Sequence, residues 1–188
     1  MQPVRVEPPR LRYDDFLTFP DDGRRHELID GEHVVTPAPD ARHQEVAGRL
    51  FLALGNFVER HPVGKVYFAP LDVILSDFDV VEPDILFICG ERSAIIRGSV
   101  HGAPDLAVEI VSPSSRRADE MKKRALFDRF GVREYWIVDP EIEIVKVYRR
   151  AEDGSFPRMA ELSAEANEVL DTPLLPGFSV PLQNLFAQ

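Results

Sequence analysis

Two acids stand where apolar side chains belong. Asp84 opens the run Ile85-Leu86-Phe87-Ile88, and Glu109 lies inside Leu106-Ala107-Val108-Glu109-Ile110-Val111. Taken alone, Asp84 could simply close a turn after Pro83. Glu109 is harder to place that way, because a carboxylate within a buried strand loses hydration that something must replace. A partner arginine, protonation or a divalent cation could each do so. Two acids at the ends of neighbouring strands suit a hard cation such as Mg²⁺, with Mn²⁺ as the alternative ion, since such ions take oxygen ligands and keep several waters. At this point a structural ion pair and a metal site both stay open.

A lysine joins them. On the helix expected from about Ala118 to Phe130, Leu126, Phe127 and Phe130 mark the apolar direction, and Lys123 falls near the middle of that stripe while Lys122 sits on its flank. Lysine is almost never fully buried without a partner. Lys123 could snorkel to water or pair with Asp119 one turn earlier. The loop after Glu109, however, returns this helix beside the strand that carries the acid. His43 similarly lies in the stripe Val46, Ala47, Leu50, Leu54 and Phe57 of an earlier helix, where a satisfied core histidine is the commoner outcome. Glu27 alternates with Ile29, so it too is expected to face inward. Glu27 and His43 are second-rank members of the candidate site.

The elements that must position these groups can be read from pattern. His26–Ile29 and Glu32–Thr36 form strands joined by Asp30-Gly31, a strong hairpin signal. Asp40 caps a helix over Ala41–His61. Val66–Leu75, Val80–Val81, Asp84–Cys89, Leu106–Val111, Tyr135–Val138 and Glu143–Tyr148 read as strands, with turns at Ser76–Asp79, Asp139-Pro140 and Asp153-Gly154. Pro173–Phe186 is a Pro-broken tail expected to close over the sheet. The pattern predicts an α/β (α+β) fold, a central mixed sheet flanked by helices. The 188 residues suit one domain, with residues 1–12 as an extended arm rich in proline.

Composition bounds the function. No apolar stretch is long enough for a membrane helix, no secretory signal is visible, and Cys89 is the single cysteine, so a cytoplasmic protein without an internal disulfide or cysteine-built zinc site is expected. The formal net charge of −10 disfavours broad phosphate binding. Yet Arg116, Arg117, Lys122, Lys123 and Arg124 form one basic strip beside the acids. No Gly-x-Ser-x-Gly elbow exists, which argues against a serine hydrolase.

These residues carry a resemblance. Pro83-Asp84, Glu109 about 25 residues later in an apolar strand, and then a lysine resemble the PD-(D/E)XK nuclease superfamily. More specifically the chain resembles the bacterial Uma-two family of restriction-endonuclease-like proteins. The match rests on Glu27-Leu28-Ile29-Asp30-Gly31, Pro83-Asp84, Gly102-Ala103-Pro104-Asp105-Leu106, Val108-Glu109-Ile110, Ser112-Pro113-Ser114 and Gly131-Val132-Arg133-Glu134-Tyr135-Trp136-Ile137-Val138-Asp139-Pro140. It spans roughly Tyr13 to Phe186. One departure stands out: the superfamily lysine should sit two residues after the acid, where this chain has Val111, and Lys123 matches the position on the following helix that the family uses instead.

The resemblance implies a restriction-endonuclease-like fold and metal-assisted phosphodiester hydrolysis. Asp84 and Glu109 would bind Mg²⁺ or Mn²⁺ and Lys123 would serve the attacking water, while Arg116, Arg117 and Lys122 would contact phosphates. Nucleic acid, with DNA the expected substrate, and a second copy of the chain in a homodimer or higher oligomer would be the partners. Asp105 is expected to be structural, and Tyr135 and Trp136 to be core. Two alternatives remain: a nuclease-like fold that binds nucleic acid or a partner without cutting, and a metal-dependent phosphohydrolase acting on nucleotides. An open basic groove favours the nuclease, and a closed pocket favours the nucleotide enzyme.

Overall fold

The computed structural model describes residues 9–112 and 119–187. Two six-stranded mixed sheets form its frame, where the sequence pattern predicted one. The first holds β1 (Arg25–Ile29), β2 (Glu32–Thr36), β4 (Val73–Ser76), β5 (Asp79–Val81), β7 (Ile96–Arg97) and β8 (Ser99–His101), in the order β2-β1-β5-β4-β8-β7. The second is central, in the order β12-β11-β10-β9-β6-β3, and comprises β3 (Gly64–Phe68), β6 (Ile85–Cys89), β9 (Leu106–Ile110), β10 (Glu134–Asp139), β11 (Ile144–Arg149) and β12 (Arg158–Ser163). Within it β9 and β10 run parallel, with Glu109 opposite Ile137, and the other neighbours run antiparallel.

Alternation along the central strands divides the core in two. After a short first helix, α1 (Tyr13–Phe16), comes the long amphipathic helix α2 (Ala41–Arg60), and Ile85, Phe87, Val108, Ile110, Trp136 and Val138 pack beneath it together with Leu170, Phe178, Leu182 and Leu185 from the end of the chain. The alternate residues Leu86, Ile88, Ala107, Val111, Tyr135 and Ile137 pack against Ile29, Val73 and Val81 of the first sheet and against Leu126 and Phe127 of α3 (Arg124–Arg129). The tail does close over the sheet, as the short hairpin of β13 (Val169–Asp171) and β14 (Ser179–Pro181) followed by α4 (Leu182–Leu185). Arg42 and Arg49 fasten it by donating to the carbonyls of Phe186 and Leu185.

Several boundaries differ from expectation. The stretch 66–75 is two strands, β3 and β4, which break at Ala69-Pro70 and join different sheets. Proline cannot donate to a strand ladder, and this one marks the crossing. The expected helix before Phe130 begins among the described residues as a π-helical turn, Asp119–Lys123, and becomes α-helical only at Arg124. A short 3₁₀ helix, Gly90–Ile95, and the small strands β7 and β8 went unread in the sequence. The arm is described only from residue 9, and there Leu11 donates to the Gly31 carbonyl while Arg10 reaches the Asp30 carbonyl. Tyr135 and Trp136 are fully buried.

Candidate active site

The site lies where the β1–β2 hairpin, the N-terminal turn of α2, the end of β9 and the π turn converge. Alternation explains each contribution. On β9, Val108 and Ile110 face α2, so Glu109 between them faces the first sheet and the π turn. On β1, Arg25, Glu27 and Ile29 share the side opposite His26 and Leu28. Asp40 caps α2 by accepting from the His43 backbone N–H at 2.8 Å, which fixes the turn that presents the His43 ring.

Lys123 occupies the centre. Its Nζ lies 2.8 Å from Glu109 Oε1 and 3.0 Å from Glu27 Oε1, and the three residues are 5%, 3% and 1% exposed. Glu27 Oε1 also accepts the Glu82 backbone N–H at 2.9 Å. Among the described residues, Glu27 Oε2 is the one buried side-chain oxygen or nitrogen without a hydrogen-bond partner. A buried acceptor in that state is costly.

Asp84 sits beside this trio at the head of β6 and is held by three donors. Arg25 Nη2 reaches its Oδ1 at 2.8 Å, His43 Nε2 lies 3.3 Å from the same oxygen, and the Ile110 backbone N–H donates to Oδ2 at 2.7 Å. Burial raises the Asp84 pKa, but the His43 contact, the Arg25 charge and the Ile110 N–H outweigh it and bring it down to about 2. Burial likewise disfavours the Arg25 charge, and the surrounding Asp84, Glu109 and Glu27 more than restore it, so its pKa stands above the ordinary arginine value.

Arg25 also approaches Glu82 (Nε to Oε2 3.7 Å). Burial and the neighbouring Asp72 push the Glu82 carboxyl up to about 7, and burial raises Asp72 as well, its hydrogen bond with Glu82 opposing the rise. Each of these two acids therefore holds its proton to a higher pH than an exposed carboxyl group does.

A cavity of about 800 Å³ opens onto the site, lined by the charged Arg25, Glu27, Glu109 and Lys123 and by the apolar Val34, Pro37 and Ala38. Asp84 is not in its lining; Arg25 and His43 stand between. Thus Glu27, His43, Asp84, Glu109 and Lys123 all come together. Lys122 lines the cavity but is exposed and paired with Glu32 at 2.9 Å. Arg116 and Arg117, the other expected phosphate contacts, lie outside the described residues, as does the side chain of Asp119. Arg25 and Glu82 went unread; Arg25 had the same signal as Glu27, the alternation of β1. Asp105 is structural as expected: it accepts from the Cys89 backbone N–H and from Arg92.

Among the described residues no three His, Cys, Asp or Glu side chains form a preassembled cation site. The donor chemistry nevertheless fits a hard cation with a largely aqueous shell: oxygen-only acids from two adjacent strands, with one buried carboxyl oxygen unpartnered.

Fold and site together define the class. The architecture is similar to that of a protein from Anabaena variabilis ATCC 29413 described as "a putative nuclease belonging to DUF820", with a TM-score of 0.79 and 20% identity over 94% of this chain and 98% of that one. At that identity the likeness establishes the fold. The family follows from the sequence: residues 13–183 match the Uma2 model, described as "Putative restriction endonuclease", and the chain belongs to that family. No curated protein matches it. No helix among the described residues is long and apolar enough to cross a membrane.

Proposed function

We propose that this protein hydrolyses phosphodiester bonds in nucleic acid, with DNA the expected substrate, using a divalent cation at Glu109 and Asp84 and the amine of Lys123. Membership of a family described as restriction endonucleases supports nuclease function. The observation that carries the rest is Lys123, a buried lysine shared by two buried carboxyl groups at the end of a cavity. Fully buried charge is expensive, and a fold that needed only stability would replace it with apolar packing at little cost.

Glu109 and Asp84 would hold Mg²⁺ or Mn²⁺. A cation bound there supplies Lewis acidity to a phosphoryl oxygen and to a nearby water. The chain's own groups do the remainder. Lys123 holds a proton within reach of Glu27 and Glu109, so it orients the attacking water and stabilises charge that develops on the phosphate. Glu27 is placed to accept a proton through Oε2. Arg25 and His43 keep Asp84 ionised, and one of them must yield Oδ1 for Asp84 to reach a cation.

The test is incubation of the purified protein with DNA and RNA in Mg²⁺, Mn²⁺ or EDTA, beside Glu109→Gln and Lys123→Ala. Metal-dependent cleavage absent from both variants supports the reading. Cleavage that survives in both places the chemistry elsewhere. The size of the cavity, about 800 Å³, favours one second reading, hydrolysis of free nucleotides by the same groups, so mononucleotides belong in the same assay.

A further inference from the structure

We infer that the cavity accepts one unpaired nucleotide of a single strand rather than an intact duplex, a reading that rests on the phosphodiester chemistry proposed above. Its volume of about 800 Å³ falls in the range, roughly 300–1,000 Å³, in which proteins enclose most of a drug-sized ligand. Its walls differ in kind. Val34, Pro37 and Ala38 offer an apolar surface, and Arg25, Glu27, Glu109 and Lys123 offer charge. A nucleotide has this division: a flat base that packs on apolar or aromatic surface whatever its identity, and a phosphate that needs cations. Val34 stands opposite Glu27 in the hairpin register, so it lies on the face that carries the charged groups, and Pro37 and Ala38 beyond it are exposed.

Depth excludes the paired form. Glu27, Glu109 and Lys123 are at most 5% exposed, so the reacting bond must travel below the surface to meet them. In a duplex the bases stay stacked inward and only the phosphate ribbon is presented. Bringing a phosphate to groups this deep requires the nucleotide to leave the stack, at an energetic cost that an already unpaired strand avoids. The rim agrees. Among the described residues its cations Lys122 and Arg42 are committed within the chain, Lys122 to Glu32, and Arg42 to Glu45 and Glu143. A duplex binder instead neutralises a row of phosphates, and a chain of net charge −10 is poorly equipped for that.

Fluorescence anisotropy on the full chain tests this, in EDTA and at one fixed salt concentration. The probes are labelled oligothymidine, labelled oligouridine and a fully paired DNA hairpin of equal length. The expected result is that a single strand binds at least about tenfold more tightly than the hairpin, a modest share of what stacked bases contribute. The tighter of the two strands assigns DNA or RNA. Ala38→Glu, which puts charge on the apolar wall at an exposed position, should erase the preference and leave the thermal midpoint unchanged. A hairpin bound as tightly as the strands, a preference that survives Ala38→Glu, or no binding to any probe overturns the inference.

Cleavage in Mn²⁺ separates the two readings. If the hairpin is cut as fast as the strands, and Glu109→Gln stops both, this inference fails while the phosphodiester reading stands. If mononucleotides alone are bound and hydrolysed, both fail.

Discussion

The parallel pair β9–β10 carries buried charge at both of its ends, and the two ends are built differently. At one end Asp105 and Glu134 are completely buried and fully engaged. Asp105 accepts from the Cys89 N–H and from Arg92 and Arg133; Glu134 accepts from Trp136 Nε1, Thr172 Oγ1 and two nitrogens of Arg149. No cavity opens there among the pockets described. At the other end Glu109 shares Lys123 with Glu27, one carboxyl oxygen has no partner among the described residues, and a cavity adjoins all three. The same residue types in the same two strands therefore serve two purposes. The saturated network holds the fold in register, and the network beside the cavity keeps one acceptor oxygen unspent.

Substitution should split the two ends cleanly. The largest effect belongs to Glu109→Gln, which should lower metal-dependent hydrolysis by about 10²–10⁴-fold. Stability should move by no more than about 1 kcal/mol, because Lys123 retains Glu27. Glu134→Ala should do the reverse. It strands Arg149 and the Trp136 N–H, so denaturant unfolding should show a loss of about 3–5 kcal/mol with turnover per folded molecule intact. Loss of stability from Glu109→Gln comparable to that from Glu134→Ala would erase the distinction between the ends.

The acids around Arg25 sharpen it through pH. Glu82 has a folded pKa of about 7, above its ordinary 4.5. The fold thus favours the protonated form: this contribution is complete below pH 4.5 and is lost as pH rises through 7. Its size is at most roughly 3 kcal/mol, reduced by solvent screening of a partly buried group. Glu82→Gln should flatten wild-type stability across that interval in urea titrations. Asp84 acts with the opposite sign. Its pKa of about 2 stabilises the fold above the ordinary 3.8, and that contribution, about 2 kcal/mol, disappears as pH falls through 2. Asp84→Asn should therefore be less stable than wild type at neutral pH and converge with it in acid. Lys122→Ala should have the smallest effect, under about 1 kcal/mol, since its pairing with Glu32 is exposed.

The candidate site was legible because buried charge leaves a mark in an apolar pattern. Glu109 broke a strand, Lys123 broke a helical stripe, and Glu27 fell in step with Ile29. Arg25 obeys the same two-residue alternation, but an arginine at the head of a strand also fits an exposed position, and only the fold shows that Asp84 waits behind it. Local elements such as the β1–β2 hairpin and α2 were legible for similar reasons, each resting on contacts close in sequence. The division into two sheets was not. Val66–Leu75 reads as one apolar stretch, and alternation within a strand carries no information about which distant strand it will join. The strands β13 and β14, three residues each, are too short to display a period.

The π turn at Asp119–Lys123 has a consequence for how relatives should be compared. A π turn accommodates one residue more than an α turn, so it acts as a single-residue insertion stored within a helix. A relative with an ordinary α-helix there would align with this chain only across a one-residue gap just before Arg124. An ungapped alignment would pair Lys123 correctly on one side of the turn and misassign every position on the other. The Lys123 amine can thus shift along its helix through gain or loss of one codon, while the apolar face carried by Leu126 and Phe127 stays where it is.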